Sequence, residues 1–244
     1  MDQLLKKGAV LIETYKRVRK EQDSSLSRLR SARRGLPINV IRDLEDLIYF
    51  PFDKIINNLE DEIANTMQLI PVYNSFLYKI KGLNIYDALE ILVLIRDVKR
   101  FKNISKLWAY AGLAPIEYCK VCGKRMKAKV NYCKCVSPEI VMMTERKRNG
   151  EQVSYNERLK KKLNQVFNIV IDTDEYYKDK YSEYKIHEFA KEDRITALHA
   201  KNRAKRKVIK LFLNHLFIEW AKCDDIKKPR PYQPLSDFKE AEDE

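Results

Sequence analysis

The sequence predicts a mainly α protein. A helical-hairpin, coiled-coil-like arm is followed by a compact helical domain with helix-hairpin-helix-like turns and a small cysteine-bearing insertion. Three observations predict it. Glycine and proline number only 6 and 8 in 244 residues, so the residues that most often interrupt helices are scarce. Apolar residues return at helical spacing through most of the chain. No convincing alternation of apolar and polar residues occurs outside the segment around the cysteines.

Residues 1–70 form the predicted arm. Leu4, Leu11, Tyr15 and Val18 fall on one helical face, with Gly8 and Gln22 as weak points in the stripe. The stretch SARRGLP (31–37) breaks the helix, since Gly35 and Pro37 are turn residues; Arg28, Arg30, Arg33 and Arg34 make it a basic elbow. A second stripe runs through Ile41, Leu44, Ile48, Phe52, Ile55, Leu59, Ile63 and Met67, and Pro51 is expected to kink or restart that helix. Together the stripes predict an antiparallel hairpin. Such arms more often make oligomer contacts than chemistry, so a homo-oligomer is expected.

Residues 71–222 form the predicted domain. As far as residue 117 it reads as short helices joined by tight turns. The cysteine segment, 118–137, is expected to add a small hairpin. The mixed stretch PEIVMMTERKRNGEQVSY (138–155) reads as one or two strands around a turn at Asn149-Gly150. Helices resume at NERLKKKLNQVFNIVI (156–171): Leu159, Leu163, Val166, Phe167 and Val170 face inward, while Arg158, Lys160, Lys161 and Lys162 mostly line the outside. The last long helix is expected to start after Asp193. Residues 223–244, proline-rich and then acidic, read as a docked or disordered tail.

The charge balance narrows the partners. Lys and Arg total 48 against 35 Asp and Glu, a formal net charge of +13. Such an excess points to a polyanion, most often nucleic acid, with an acidic membrane surface as the alternative. The plainer reading is a solvated charged surface, against which stands the clustering of the basic residues. The most apolar run, VIKLFLNHLFIEW (208–220), is interrupted by Lys210, Asn214, His215 and Glu219, so no membrane span is predicted. The N-terminus is too charged for a secretory signal. An intracellular, cytoplasmic protein is therefore expected.

Three features could carry chemistry. In YCKVCGKRMKAKVNYCKC (118–135), Cys119 and Cys122 form a C-x-x-C pair followed by Gly123, and Cys133 and Cys135 form a C-x-C pair. Four thiolates complete a tetrahedral zinc shell and leave no open position for a reacting water, so the insertion is predicted to be a zinc knuckle and the zinc structural. Reduced structural cysteines are the competing reading. The second feature, IKGLNIYDA (80–88), has the helix-hairpin-helix pattern with Gly82 in its first glycine position and Asn84 in place of the second. Asn tolerates a left-handed backbone better than most residues. Backbone N–H groups at such a turn bind a DNA phosphate, with Lys81 beside them; an ordinary helix–helix turn is the competing reading. The third, HAKNRAKRKVIK (199–210), places His199, Arg203, Arg206, Lys207 and Lys210 on one helix face, with Ala204, Val208, Leu211 and Phe212 toward the core. So dense a set of cations is relieved by a phosphate and releases its counterions on binding.

No P-loop, dinucleotide fingerprint or nucleophile elbow occurs, and His187, His199 and His215 make no metalloprotease pattern. Asp172, Asp174 and Glu175 cluster at a predicted helix end and do not resemble the acidic set of a two-metal nuclease.

The stretch IKGLNIYDALEILVLIRDVKRFKNISKLWAYAGLAP (80–115) resembles the C-terminal domain of the DEDD transposases of the insertion-sequence-one-ten family, recombinases that work with a structured bridge RNA. The likeness rests on the glycine hairpin, on Asp97, Val98, Lys99, Arg100 and Phe101, and on Leu107, Tyr110, Ala111, Gly112, Leu113 and Pro115. GEQVSYNERLKKKL (150–163) and LHAKNRAKRKVIKLFLNHLFIEW (198–220) are similar to that domain's later basic helices. The resemblance omits the family's N-terminal RuvC-like domain, which supplies four metal-binding acids. It also lacks the family's serine and glycine shortly after the GL-x-P segment, where Cys122-Gly123 stands here. Ser137 and Ser154 are the nearest serines, and neither precedes a glycine.

The resemblance implies a nucleic-acid-binding protein acting in, or derived from, DNA transposition. The expected DNA contacts are Lys81, Gly82, Asn84, Arg100, Arg158, Arg203, Arg206, Lys207 and Lys210, with structured RNA as a further partner. One alternative is an active recombinase using Ser137 or Ser154 within a larger complex. Another is a zinc-stapled helical adaptor for an acidic protein.

Overall fold

The helical spacing is realised as eight α-helices, with one two-stranded sheet, among the described residues. The structure is a computed structural model that describes residues 1–32, 36–122, 140–144, 153–190 and 196–226, the segment 140–144 by its backbone alone. The chain packs as two units: Met1–Lys79 with Leu83–Asp97, and Ile80–Gly82 with the chain from Val98 onward.

In the first unit, helices α1 (Asp2–Ala32) and α2 (Ile38–Gln68) lie side by side. Lys7, near the start of α1, pairs with Glu62 near the end of α2, and Arg19 meets Glu60 at 3.1 Å, so the two run antiparallel. Residues 33–35 of the basic elbow lie outside the described residues. The buried face of α1 is Leu5, Gly8, Ile12, Gln22 and Leu29, so it keeps the Gly8 and Gln22 of the predicted stripe and adds Leu5, Ile12 and Leu29. Leu4, Leu11, Tyr15 and Val18 are only half-buried. Gly8 is no weak point: a Cβ there would stand 2.7 Å from Leu89 Cδ1, so its bare backbone is what lets α4 (Ile85–Ile95) approach. Helix α2 runs through Pro51 unbroken, which corrects the expected restart. Its buried set is Ile41, Ile56, Ile63, Thr66 and Met67, whereas Ile55 is exposed.

Short helix α3 (Pro71–Ser75) and a 3-10 turn at Leu77–Lys79 follow, then α4, whose Ala88, Leu89, Ile91, Leu92 and Ile95 are fully buried. Asn84 begins α4 as its N-cap: its side chain accepts from the Asp87 N–H at 2.8 Å, in extended backbone at φ −76°. The left-handed conformation anticipated for Asn84 is not used, because the capping geometry requires the extended one. Tyr15 stacks on Tyr86 at 4.7 Å and donates to Glu60 at 3.0 Å, joining α1, α2 and α4.

In the second unit, a 3-10 turn at Val98–Arg100 leads to α5 (Ile104–Tyr110), then to strand β1 (Pro115–Cys119), paired antiparallel with β2 (Ile140–Thr144). The pairing runs from Pro115 opposite Thr144 to Cys119 opposite Ile140, so the strands bracket the cysteine segment; the Asn149-Gly150 turn lies outside the described residues. Helices α6 (Glu157–Thr173), α7 (Glu175–Phe189) and α8 (Ala197–Cys223) complete it. Each begins on a side-chain cap, supplied by Asn156, Asp174 and Thr196. The inward set predicted for α6 is buried as expected, and Phe167 meets Phe212 at 5.0 Å and Tyr177 at 5.8 Å. Trp220 and Leu213 extend this core along α8.

Candidate nucleic-acid interface

The cations of α8 converge. Arg203, Arg206, Lys207 and Lys210 repeat at i, i+3, i+4 and i+7, which places them on one side of the helix over two turns. The opposite side carries Ala200, Ala204, Val208 and Phe212, all fully buried, while Leu211 is half-buried. The four cations line one open recess of about 240 Å³, together with Leu113, Pro115 and Glu188.

Glu188 sits in the last turn of α7 and is 1 % exposed. Its Oε1 meets Lys207 Nζ at 2.8 Å, and its Oε2 lies 3.6 Å from Arg203 Nη1. The carboxylate thus holds two of the cations at the rim of the recess. Lys207 Nζ lies 5.3 Å from the Tyr184 ring centre, and Lys210 Nζ lies 5.1 Å from that of Trp108. Trp108 is itself fixed, its Nε1–H donating to the Lys210 carbonyl at 3.1 Å. Burial pushes the Lys210 ammonium below the ordinary lysine range, and the neighbouring Arg206 and Lys207 push it the same way. An anion in the recess would oppose the push from Arg206 and Lys207.

The other predicted residues are spread over the chain. Lys81 and Gly82 form the turn that leads toward Asn84, with Gly82 at φ +84°. The Lys81 N–H donates to Asp174 Oδ2 at 3.0 Å, its carbonyl accepts from Thr173 Oγ1 at 3.1 Å, and its ammonium pairs with Glu175 at 3.0 Å. A carboxylate therefore occupies the backbone donor that the hairpin pattern assigns to a phosphate. Asn84 is exposed and caps α4. Arg100 lies exposed, its guanidinium carbon 4.8 Å from the Tyr110 ring centre and 5.2 Å from that of Phe101. Arg158 is exposed in the first turn of α6. His199 is exposed at the start of α8 and does not line the recess.

Cys119 is buried at the end of β1 and Cys122 is exposed just beyond it; Cys133 and Cys135 lie outside the described residues. Ser137 lies outside them too, and Ser154 is exposed ahead of α6. The sequence reading missed Glu188, Trp108, Tyr184, Leu113 and Pro115 as parts of the site. A signal for Glu188 did exist: Tyr177, Tyr181, Tyr184 and Glu188 share one helical spacing, so the acid continues a stripe of half-buried and buried tyrosines.

This geometry defines a helical domain with a cation-lined recess. Residues 74–131 match the model of the Transposase IS116/IS110/IS902 family, which supports a transposase-family domain over that stretch and a transposition-related role. The matched span includes Leu113 and Pro115 of the recess lining and does not reach α8. No curated protein matches the chain. No helix among the described residues is long and apolar enough to cross a membrane.

Proposed function

We propose that this chain binds nucleic acid, DNA foremost, in a transposition-related role, and that α8 makes the principal contact. The observation that carries this reading is the convergence of Arg203, Arg206, Lys207 and Lys210 on one recess. Four cations gathered in one wall repel one another, and a bound phosphate relieves that repulsion while releasing counterions. Arg158 and Arg100, both exposed, extend the basic surface of the same unit.

Structural zinc on Cys119, Cys122, Cys133 and Cys135 belongs to this reading. Its support is the pairing of Cys119 with Ile140, which brings the two ends of the cysteine segment side by side, as a closed knuckle requires. Self-association through the arm is supported by Leu47 and Phe50, which are 70 % and 66 % exposed on α2.

The test is binding to duplex DNA, branched DNA and folded RNA across a salt series. Log affinity should fall linearly with log salt, with a slope of about −0.9 for each duplex phosphate neutralised. Replacing Arg206 and Lys207 together by glutamine should make that slope shallower. An absence of binding to all three at low salt would refute the reading.

A further inference from the structure

We propose that the arm has a built-in opening point at Gln22. Helix α1 beyond that residue and α2 before Ile56 separate from one another while the near half of the hairpin stays packed.

Burial along the two helices is uneven. The near half is held by Leu5, Gly8 and Ile12 on α1 and by Ile56, Ile63 and Met67 on α2. Lys7 and Arg19 are tied there to Glu62 and Glu60. Helix α4 braces the same half through Leu89 at Gly8, Tyr86 at Tyr15 and Glu90 at Lys16. Beyond it the packing thins. Gln22 is the one buried residue of α1 between Ile12 and Leu29, and no residue of α2 between Ile41 and Ile56 is buried. Helices in proteins owe most of their stability to the apolar face they bury, and here the far half buries only Leu29 and Ile41 as apolar residues.

Gln22 weakens this layer further. Its side chain is 4 % exposed, and its Nε2 finds no hydrogen-bond partner among the described residues. A buried amide donor left unpaired carries a cost that an apolar side chain of similar size would not. Separation of the helices returns that donor to water, so Gln22 favours the open form.

The backbones of both helices act in the same direction. Pro51 lies in the sparsely packed stretch of α2 and, having no N–H, does not donate to the Leu47 carbonyl one turn earlier. On α1, Ser24, Ser25 and Ser27 follow Gln22 closely, and serine is a weak helix former in a helix interior. A buried polar group, a proline and a serine cluster therefore lower the cost of opening in one part of the arm.

Opening changes the surface of α2. Leu44, Ile48 and Phe52 are half-buried in the closed hairpin, while Leu47 and Phe50 are already exposed. Separation uncovers the first three and enlarges the apolar surface on which self-association of the arm would draw. The opening itself needs no second copy.

The test is amide hydrogen exchange on the full chain, read by mass spectrometry. Peptides within 23–32 and 42–55 should exchange at least about tenfold faster than peptides within 5–15 and 56–67. Gln22→Leu should slow the far peptides by about tenfold and leave the near ones unchanged, the scale of one relieved buried donor. Pro51→Ala should slow them from the other helix. Circular dichroism checks that both variants fold, and Pro51→Ala carries the comparison alone if Gln22→Leu does not. Equal exchange of the two halves in the wild type overturns the opening point. Far-half exchange left unchanged by Gln22→Leu, or by Pro51→Ala where that variant stands alone, also overturns it.

Discussion

Glu188→Gln is the substitution that most directly probes how α7 and α8 are joined. The glutamine keeps the shape of the side chain and removes its charge. The carboxyl side chain is 2 % exposed, whereas those of Lys207 and Arg203 are each 38 % exposed. Breaking a fully buried ion pair by deleting one partner costs about 3–5 kcal/mol. Solvent reaches both cations here and screens them, so the expected loss is smaller, about 1–3 kcal/mol. For a chain of this size that corresponds to a fall in Tm of roughly 2–4 °C for each kcal/mol. Chemical denaturation of the wild type, Glu188→Gln, Lys207→Met and the double variant closes a double-mutant cycle. A coupling energy of about 1 kcal/mol or more is expected, since the pair lies at 2.8 Å. A loss below about 0.3 kcal/mol with no coupling would refute the assignment of Glu188 as the organiser of this wall, because surface substitutions of no consequence fall in that range.

Gly82→Ala should destabilise by about 2–4 kcal/mol in a urea titration, from left-handed backbone strain added to overpacking. Its φ is +84° and a Cβ would stand 2.1 Å from Thr173 Oγ1, so a neutral outcome would mean that the turn is built differently. Burial holds His215 below its ordinary pKa of 6.5, beside the Tyr177 hydroxyl at 3.2 Å, with Glu219 pushing weakly the other way. The stability this contributes is complete above the unfolded value and is lost as pH falls from there through the folded pKa; His215→Gln should flatten that part of a stability-against-pH curve. Metal analysis should find about one zinc for each chain, reduced in Cys119→Ser and Cys133→Ser, as a four-thiolate site demands. Leu47→Glu with Phe50→Glu should lower the mass measured by light scattering while circular dichroism still shows a folded helical chain, because both side chains are exposed on α2.

What the sequence made legible, and what it hid, follows from the kind of information each feature needs. The α8 cation face was legible because i, i+3, i+4 and i+7 is helix arithmetic and requires no partner. The α6 core stripe was legible for the same reason. Glu188 was hidden because an acid near a helix end reads as surface, and only the packing of α7 on α8 buries it. Gly8 was misread because composition shows a missing side chain but not the Leu89 that fills its place. Asn84 suits a left-handed turn and an N-cap equally well by its chemistry, and the Asp87 N–H decides between them. The α1 stripe was only partly legible because a packed helix buries a band wider than a single row, and spacing alone does not choose its centre.

Net charge points to a class of partner but not to an address. Some of the 48 basic residues are paired locally: Lys7 with Glu62, Lys16 with Glu90, Arg19 with Glu60, and Lys81 with Glu175. The hairpin turn illustrates the consequence, for its Lys81 carries a cation and a backbone N–H, and acids take both. Among the described residues that line the α8 recess, four cations converge with one carboxylate. Burial, and after it the neighbouring Arg206 and Lys207, lower the pKa of Lys210. The proposed interface is therefore better sought where cations converge than where they are merely numerous. By that criterion α8 ranks ahead of the glycine hairpin, although the hairpin carries the more familiar sequence pattern.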